Sequence, residues 1–321
     1  MVPQADEAGG SEAAAEAALV AAKEELEDQP AVAAVDYDYV RSYTSNDPRY
    51  DKQYNLTQTG FDDAWRTERG DGALIGVVDS GIAQNHPDLK GKIAGQYDFF
   101  DNDNTAEDRD GHGTAVAGVA AAVTGNGKGI AGACPACKLL VAKDGDEYPV
   151  DSVTIQGIYW AVDKGADVVN ISSAGFQASV AYERAVSYAR ENGALVVAAA
   201  GNESTNRKAY PAAYPASVAV SATNRSGTFA SFSNRGGWVD LAAPGVGIHA
   251  TDLSSYWVLN GTSFSAPETA ALAGLLSARG LTDDGVRRRM QRTATDLGAD
   301  GDDPLYGHGR INARRGALAR R

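Results

Sequence analysis

Ser263 stands in the stretch Asn260-Gly261-Thr262-Ser263-Phe264-Ser265-Ala266-Pro267, ahead of an Ala-rich apolar run, Thr269 to Ala278, that stops at Gly280. The pattern predicts a loop opening a buried helix, with Ser263 at or near the first turn. A serine there keeps its own N–H free and sits at the positive end of the helix dipole, where an oxyanion is stabilised. Its hydroxyl is a weak nucleophile until an imidazole takes the proton and a carboxylate holds that ring in the right tautomer. Both partners lie upstream. Val77-Val78-Asp79-Ser80-Gly81 reads as a buried strand delivering a carboxylate at its end. Asp110-Gly111-His112-Gly113-Thr114 reads as a histidine entering a Gly/Ala-rich helix. Ala199-Ala200-Gly201-Asn202 adds a side-chain amide beyond a strand end, able to donate to an oxyanion beside the Ser263 N–H. Alone, Asp79 would be a strand-end residue, His112 a helix start and Asn202 a turn. Together and in this order they make a candidate catalytic set.

Stepping outward from these residues, the chain from Ala73 onward alternates short apolar strands with helices. The expected strands are Ala73–Asp79, Lys138–Ala142, Ala166–Ile171, Ala194–Ala200 and Ser217–Ser221. The expected helices are Gly113–Val123, Val153–Lys164, Val180–Glu191, Ser265–Ala278 and Gly285–Thr293. Near-continuous apolar strands separated by helices imply an α/β fold, a mostly parallel central sheet covered on both faces. Ligands of such sheets bind beyond the C-terminal strand ends, where Asp79 and Asn202 fall. Residues 11–28 read as an amphipathic helix ended by Pro30, Val32 to Tyr39 as a strand, and Ser42 to Gln53 as a polar linker. One helix and one strand bury no core of their own.

The 321 residues suffice for a large single core. A net charge of −13 argues against nucleic acid or an anionic membrane as partner, and no apolar run is long enough to span a bilayer. Cys134 and Cys137 are the only cysteines. The lack of further ligands nearby argues against zinc, leaving a short-loop disulfide or two thiols. Met1 to Gly10 lacks the basic start of a secretory signal, so export is not legible in the residues themselves.

From about Asn46 to Ala313 the chain resembles the subtilisin-like serine proteases, through Val-Val-Asp79-Ser-Gly, Gly-His112-Gly-Thr, Ala-Gly-Asn202, Gly-Thr-Ser263-Phe-Ser-Ala-Pro267 and the closing Tyr306-Gly-His-Gly-Arg-Ile-Asn312-Ala. The resemblance implies a secreted, monomeric endopeptidase of broad specificity acting on polypeptides by an acyl-enzyme route. Asp79 would orient, His112 would act as base and then acid, Ser263 would attack, and Asn202 would stabilise the oxyanion. Ser172, Ser173, Ala174 and Gly175 would pair with the substrate backbone as an added strand. Gly201 and Glu203 complete the substrate-binding set. Glu203 would tolerate a basic substrate side chain or is simply a solvated loop charge. The family's usual Ser-Leu-Gly here reads Ser-Ser-Ala, so the Ala174 methyl could narrow the main pocket. The family's further histidines are replaced by Ala115 and Glu268; a carboxyl at Glu268 needs a partner or water.

The same resemblance suggests Ca²⁺. The acidic run Asp98 to Glu107 is similar to a calcium loop of thermitase-like members, with Asp98, Asp101, Asp103, the Thr105 carbonyl and Glu107 as ligands. A second site would combine Asp47, Asp88 and Asn126 with the carbonyls of Val123, Lys128 and Ile130. The alternatives are an acidic solvated loop and a Gly-rich turn. Residues 1–43 resemble the end of the family's inhibitory pro-segment, an intramolecular inhibitor to be cut within Val40–Asn46, ahead of a catalytic domain at 44–321. Other readings are an intracellular relative, a catalytically silent scaffold, and a general esterase; the last lacks its Gly-x-Ser-x-Gly elbow.

Overall fold

All five expected strands form, and two more join them in one parallel sheet. They are β1 (Leu74–Asp79), β2 (Ile93–Asp98), β3 (Lys138–Lys143), β4 (Val168–Ile171), β5 (Leu195–Ala199), β6 (Ser217–Thr223) and β7 (Leu241–Pro244), in the spatial order β2-β3-β1-β4-β5-β6-β7. A hairpin, β8 (Ile248–Thr251) with β9 (Tyr256–Leu259), stands apart from it. The structure is a computed structural model describing residues 45–319 and, ahead of them, only Ala21, Lys23, Glu25 and Gln29. The chain divides into two units, Met1–Ser42 and Tyr43–Arg321. The helix expected at 11–28 is described only at Ala21, Lys23 and Glu25, which are helical. The strand at Val32 to Tyr39 lies outside the described residues.

The helices are α1 (Tyr54–Gln58), α2 (Phe61–Ala64), α3 (His112–Ala121), α4 (Asp151–Asp163), α5 (Val180–Glu191), α6 (Thr262–Ala278), α7 (Asp283–Thr293) and α8 (Ala313–Leu318). Side chains alternate along a strand, so each strand feeds two cores. On one face Ile75 and Val77 of β1 pack with Val116 of α3 and Ala270 of α6. On the other, Val78 and Leu140 pack with Ile158 of α4 and Val186 of α5. Glu268 apart, α6 is apolar or small on every side, as suits a helix buried all round.

Sequence reasoning missed β2 because it is a half-buried edge strand containing Gly95 and Gln96. It missed β7 because four residues give no period to read. The supposed linker is also corrected from Asp47 on. Asp47, Tyr50 and Gln53 are buried, Arg49 N–H donates to the Gly129 carbonyl, and Gln53 exchanges hydrogen bonds with Ala131. Its polar side chains serve the backbone of the 125–131 turn, which composition alone cannot reveal. Cys134 and Cys137 form a disulfide. Gly70, with φ of +88°, lies against the two sulfurs, where a Cβ would collide with both.

Glu268, wholly buried in α6, receives the Thr59 hydroxyl at 2.9 Å and the Asn55 amide at 3.2 Å. Burial pushes its carboxyl up from 4.5 to about 8, against these hydrogen bonds and the charge of Arg310. A raised carboxyl pKa means the folded state holds a proton that the unfolded state has lost. Its stabilising effect is complete below pH 4.5 and declines as pH rises towards 8, by about 1.4 kcal/mol per unit. Thermal melts of the wild type and Glu268→Gln across that window should therefore diverge, the variant gaining a few kcal/mol relative to wild type by the alkaline end. Parallel melting curves would contradict this.

Candidate active site

β1 ends at Asp79, β4 leads into Ser172 and β5 into Gly201, so three adjacent strands open on one rim. Asp79 is almost fully buried there, and its Oδ1 accepts from the Ser80 N–H at 2.8 Å and lies 2.7 Å from His112 Nδ1. His112 is the first residue of α3. That helix can start so close to β1 because Gly113 has no side chain: a Cβ would strike the Gly81 carbonyl, and the Gly113 N–H donates to the Ser80 hydroxyl at 2.9 Å.

Asp108, which sequence reasoning passed over, fixes this junction. Its Oδ1 accepts from the Ser80 hydroxyl and the Gly111 N–H, both at 2.9 Å, and its Oδ2 from Thr114 N–H at 2.8 Å and hydroxyl at 2.6 Å. Burial alone would raise its pKa, yet these donors hold the carboxyl below its ordinary value. The clue was the carboxylate four residues ahead of His112, at a helix start. For His112 burial opposes charge, but the Asp79 carboxylate, with Asp110 and Asp108 behind it, outweighs burial and raises the imidazole to about 9.

Ser263 lies second in α6, which begins three residues earlier than expected. At that position its N–H has no intrahelical acceptor. Pro267 supplies no N–H to the Ser263 carbonyl four residues back. The Ser172 hydroxyl fills the gap, donating to that carbonyl at 2.9 Å, while the Ser263 hydroxyl donates to the Ser172 carbonyl at 2.9 Å. The reciprocal pair fastens α6 to the end of β4. The Asp79–His112 half of the expected row is thus made, and the Ser263 hydroxyl is turned to Ser172.

Asn202 closes the arrangement. Its Oδ1 accepts from the Thr262 N–H at 2.9 Å and the Thr262 hydroxyl at 3.0 Å, and that hydroxyl accepts from the Gly201 N–H at 3.0 Å. With the oxygen engaged, the amide orientation is set and Nδ2 is left as the outward donor. Thr262, another residue missed, therefore positions the amide. Asn234, fully buried, pins the loop beyond β5: it accepts from the Glu203 N–H at 3.1 Å and donates to the Glu203 carboxylate at 2.6 Å. The Glu203 carboxylate is accordingly tied to Asn234 in the segment that follows β6. Ser173 is half-buried, and Ala174 and Gly175 are exposed; Gly175 exchanges backbone hydrogen bonds with Tyr210 at 2.9 and 2.7 Å.

In the first calcium set, Asp98 and Asp103 exchange backbone hydrogen bonds at 2.9 and 3.0 Å. Among the described residues no three His, Cys, Asp or Glu side chains cluster as a metal site. Asp98 faces the buried Lys143 ammonium at 3.9 Å, which also donates to the Glu107 carbonyl at 2.9 Å. Asp101 pairs with Arg109 at 2.8 Å, and Asp103 accepts from the Thr105 N–H at 2.7 Å. Lys143 and Arg109 thus face two of the set's four carboxylates, those of Asp98 and Asp101. Of the second set, Asp88 Oδ1 accepts from the Asn126 amide at 2.9 Å and Asp47 Oδ1 from the Asn126 N–H at 3.0 Å. Val123 donates its N–H to Asp88 O at 2.7 Å, and Ile130 its N–H to Asp88 Oδ2 at 2.9 Å. Lys128 N–H is held by Asn126 Oδ1 at 2.7 Å.

The family model described as Subtilase family matches residues 70–309. Thermitase of Thermoactinomyces vulgaris is 40% identical over 275 residues, 84% of this chain and 98% of that protein. A thermophilic serine proteinase of Bacillus sp. (strain AK1) is 38% identical over 295 residues, 90% of this chain and 73% of that one. Among solved structures, a protease from Pseudoalteromonas arctica PAMC 21717 superposes with a TM-score of 0.79 at 29% identity, covering 85% of this chain and 98% of its own.

Proposed function

The chain belongs to the subtilase family and is a serine-type endopeptidase acting on polypeptides, and from that premise we propose that Asp79, His112, Ser263 and Asn202 carry out the cleavage. The observation that supports this most is the 2.7 Å contact of Asp79 with His112 Nδ1, on the rim where Ser263 opens α6. With Nδ1 donating to Asp79, Nε2 is the basic nitrogen. A turn of the Ser263 side chain away from Ser172, a picosecond-to-nanosecond motion, presents its hydroxyl to Nε2. The oxygen attacks the peptide carbonyl carbon while Nε2 takes the proton. The resulting imidazolium, held by Asp79, passes that proton to the departing amine. Water then repeats the sequence on the acyl-enzyme.

The oxyanion meets the Ser263 N–H and Asn202 Nδ2. Asn202→Leu is expected to lower kcat by about 10²–10³, the effect of removing the corresponding donor in subtilisin, with KM little changed. A loss shared equally between kcat and KM would point to substrate binding instead. The Ser173–Gly175 segment, half-buried at Ser173 and exposed beyond it, serves as the edge to which the substrate backbone adds as a strand, which suits broad specificity because backbone bonds ignore side chains.

Ca²⁺ is proposed at the second set. Asp47 and Asp88 are both buried carboxylates gripping one loop through neutral donors, and Asn126 with the Val123, Lys128 and Ile130 carbonyls supplies the oxygen ligands a hard cation takes. Bound Ca²⁺ would offset the buried charge and stabilise the native state by mass action. Excess chelator should therefore lower Tm, about 2.7 kcal/mol of stability being lost where free Ca²⁺ had stood at a hundred times Kd. An unchanged Tm would remove calcium from the account.

The disulfide supports secretion, because such bonds persist in oxidising surroundings. Residues 1–43 are proposed as the inhibitory remnant and 44–321 as a monomeric catalytic domain, with self-cleavage between Val40 and Asn46.

A further inference from the structure

A cavity of about 200 Å³ opens beside His112 and Ser173, and its wall is acidic: Asp110, Asp144, Asp146 and Glu147 all line it. Asp144 sets it apart from an ordinary charged rim. It follows β3 directly, its N–H donates to the Asp79 carbonyl at 3.0 Å, and only 2% of it is exposed. Its Oδ2 accepts from the Thr154 hydroxyl at 2.6 Å, and no cation pairs with the carboxylate among the described residues' ion pairs. The next residue back, Lys143, does not neutralise it. That ammonium is committed to the Glu107 carbonyl and to Asp146 at 2.6 Å. No Lys or Arg lines the cavity among the described residues.

A buried carboxylate is costly unless something pairs with it, and an aliphatic side chain would fill this position without that cost. Burial, helped by the Asp79 charge, pushes the Asp144 carboxyl up to about 7. A cation entering from the substrate side would reverse this. It would meet the Asp144 carboxylate and those of Asp146, Glu147 and Asp110, which line the same cavity.

We propose that this cavity, with Asp144 at its floor, receives the Lys or Arg side chain of the substrate residue lying alongside the imidazole, so that an otherwise tolerant site favours a cationic residue at one position. The inference rests on the protease reading above and adds a specificity determinant, Asp144, to it.

The test uses the whole chain and matched peptides in which Lys or uncharged norleucine is placed in turn at each position flanking the cleaved bond. Norleucine keeps the length of the side chain and removes the charge. At one position Lys should exceed norleucine in kcat/KM by about 10- to 100-fold, the value of a hydrogen bond to a charged group, and the ratio should shrink at high salt. In Asp144→Asn the ratio should fall below about threefold. Asp144→Ser, which keeps a hydroxyl for Thr154, is the second variant should the first fail to fold. A wild type that cleaves norleucine peptides and shows no Lys preference at any position overturns the inference while leaving the protease reading intact. So does a preference that survives both substitutions. A folded wild type that cleaves none of the peptides overturns the reading on which the inference rests.

Discussion

Replacing Ser263 with alanine is expected to lower kcat by roughly a millionfold, the loss found for the corresponding change in subtilisin. The residual rate should still exceed that of water by about 10³–10⁴, because the oxyanion donors and the substrate edge remain. Folding should be nearly untouched. The Ser263 hydroxyl makes one hydrogen bond, to the Ser172 carbonyl, while the bond from the Ser172 hydroxyl to the Ser263 carbonyl survives the change. The stability cost is therefore about 1 kcal/mol, visible as a small fall in Tm. A variant that is inactive because it is unfolded would show a collapsed melt instead. The same protein tests self-processing: the wild type should begin within residues 40–46 and the variant should stay uncut, whereas identical N-termini would refute self-cleavage.

Asp79→Asn should cost about 10⁴ in kcat. The amide is nearly isosteric with the carboxylate, so the end of β1 keeps its shape, although Oδ1 serves both the Ser80 N–H and His112 Nδ1 and an amide nitrogen there costs the Ser80 N–H that acceptor. What changes is the ring. Asp79 Oδ1 now accepts from Nδ1 and leaves Nε2 basic; an amide nitrogen facing Nδ1 selects the opposite tautomer and places the proton on the wrong side. The pH profile should move as well. The Asp79 carboxylate is the principal reason the imidazole is raised to about 9, and the base works only when neutral. The wild-type rate should thus climb into alkaline pH, and the residual rate of Asp79→Asn should reach half its maximum at a lower pH. An unshifted profile would mean that some other charge sets the imidazole.

The parts of the site that were legible in the sequence are those where one residue type does a job few others can. A buried strand ending in Asp79, a Gly-flanked His112 and a serine ahead of an Ala-rich helix declare themselves through type and neighbourhood. The strands feeding the rim were legible because parallel strands buried on both faces read as unbroken apolar runs. Residues that act by holding others were not. Asp108, Thr262 and Asn234 are common polar types in loops, and their roles depend on partners up to 61 positions away, as between Gly201 and Thr262. Asp144 was hidden differently, inside a segment whose alternation of Lys143, Asp144 and Asp146 reads as solvated charge until the fold buries two of the three. At the acidic run Asp98 to Glu107 the carboxylates are plain in the sequence, but the cations set beside two of them are not. Its cationic counterparts, Lys143 and Arg109, come from another strand and from beyond the run itself.

The central claim, that folding makes Ser263 an activated nucleophile beside His112, is tested most directly by a fluorophosphonate probe, which reacts only with such a serine. The account predicts one probe per folded wild-type chain, located on Ser263 by peptide mapping, with labelling abolished in Ser263→Ala and strongly slowed in His112→Ala. Folded wild-type protein that takes up no probe, or takes it up at another residue, would contradict it.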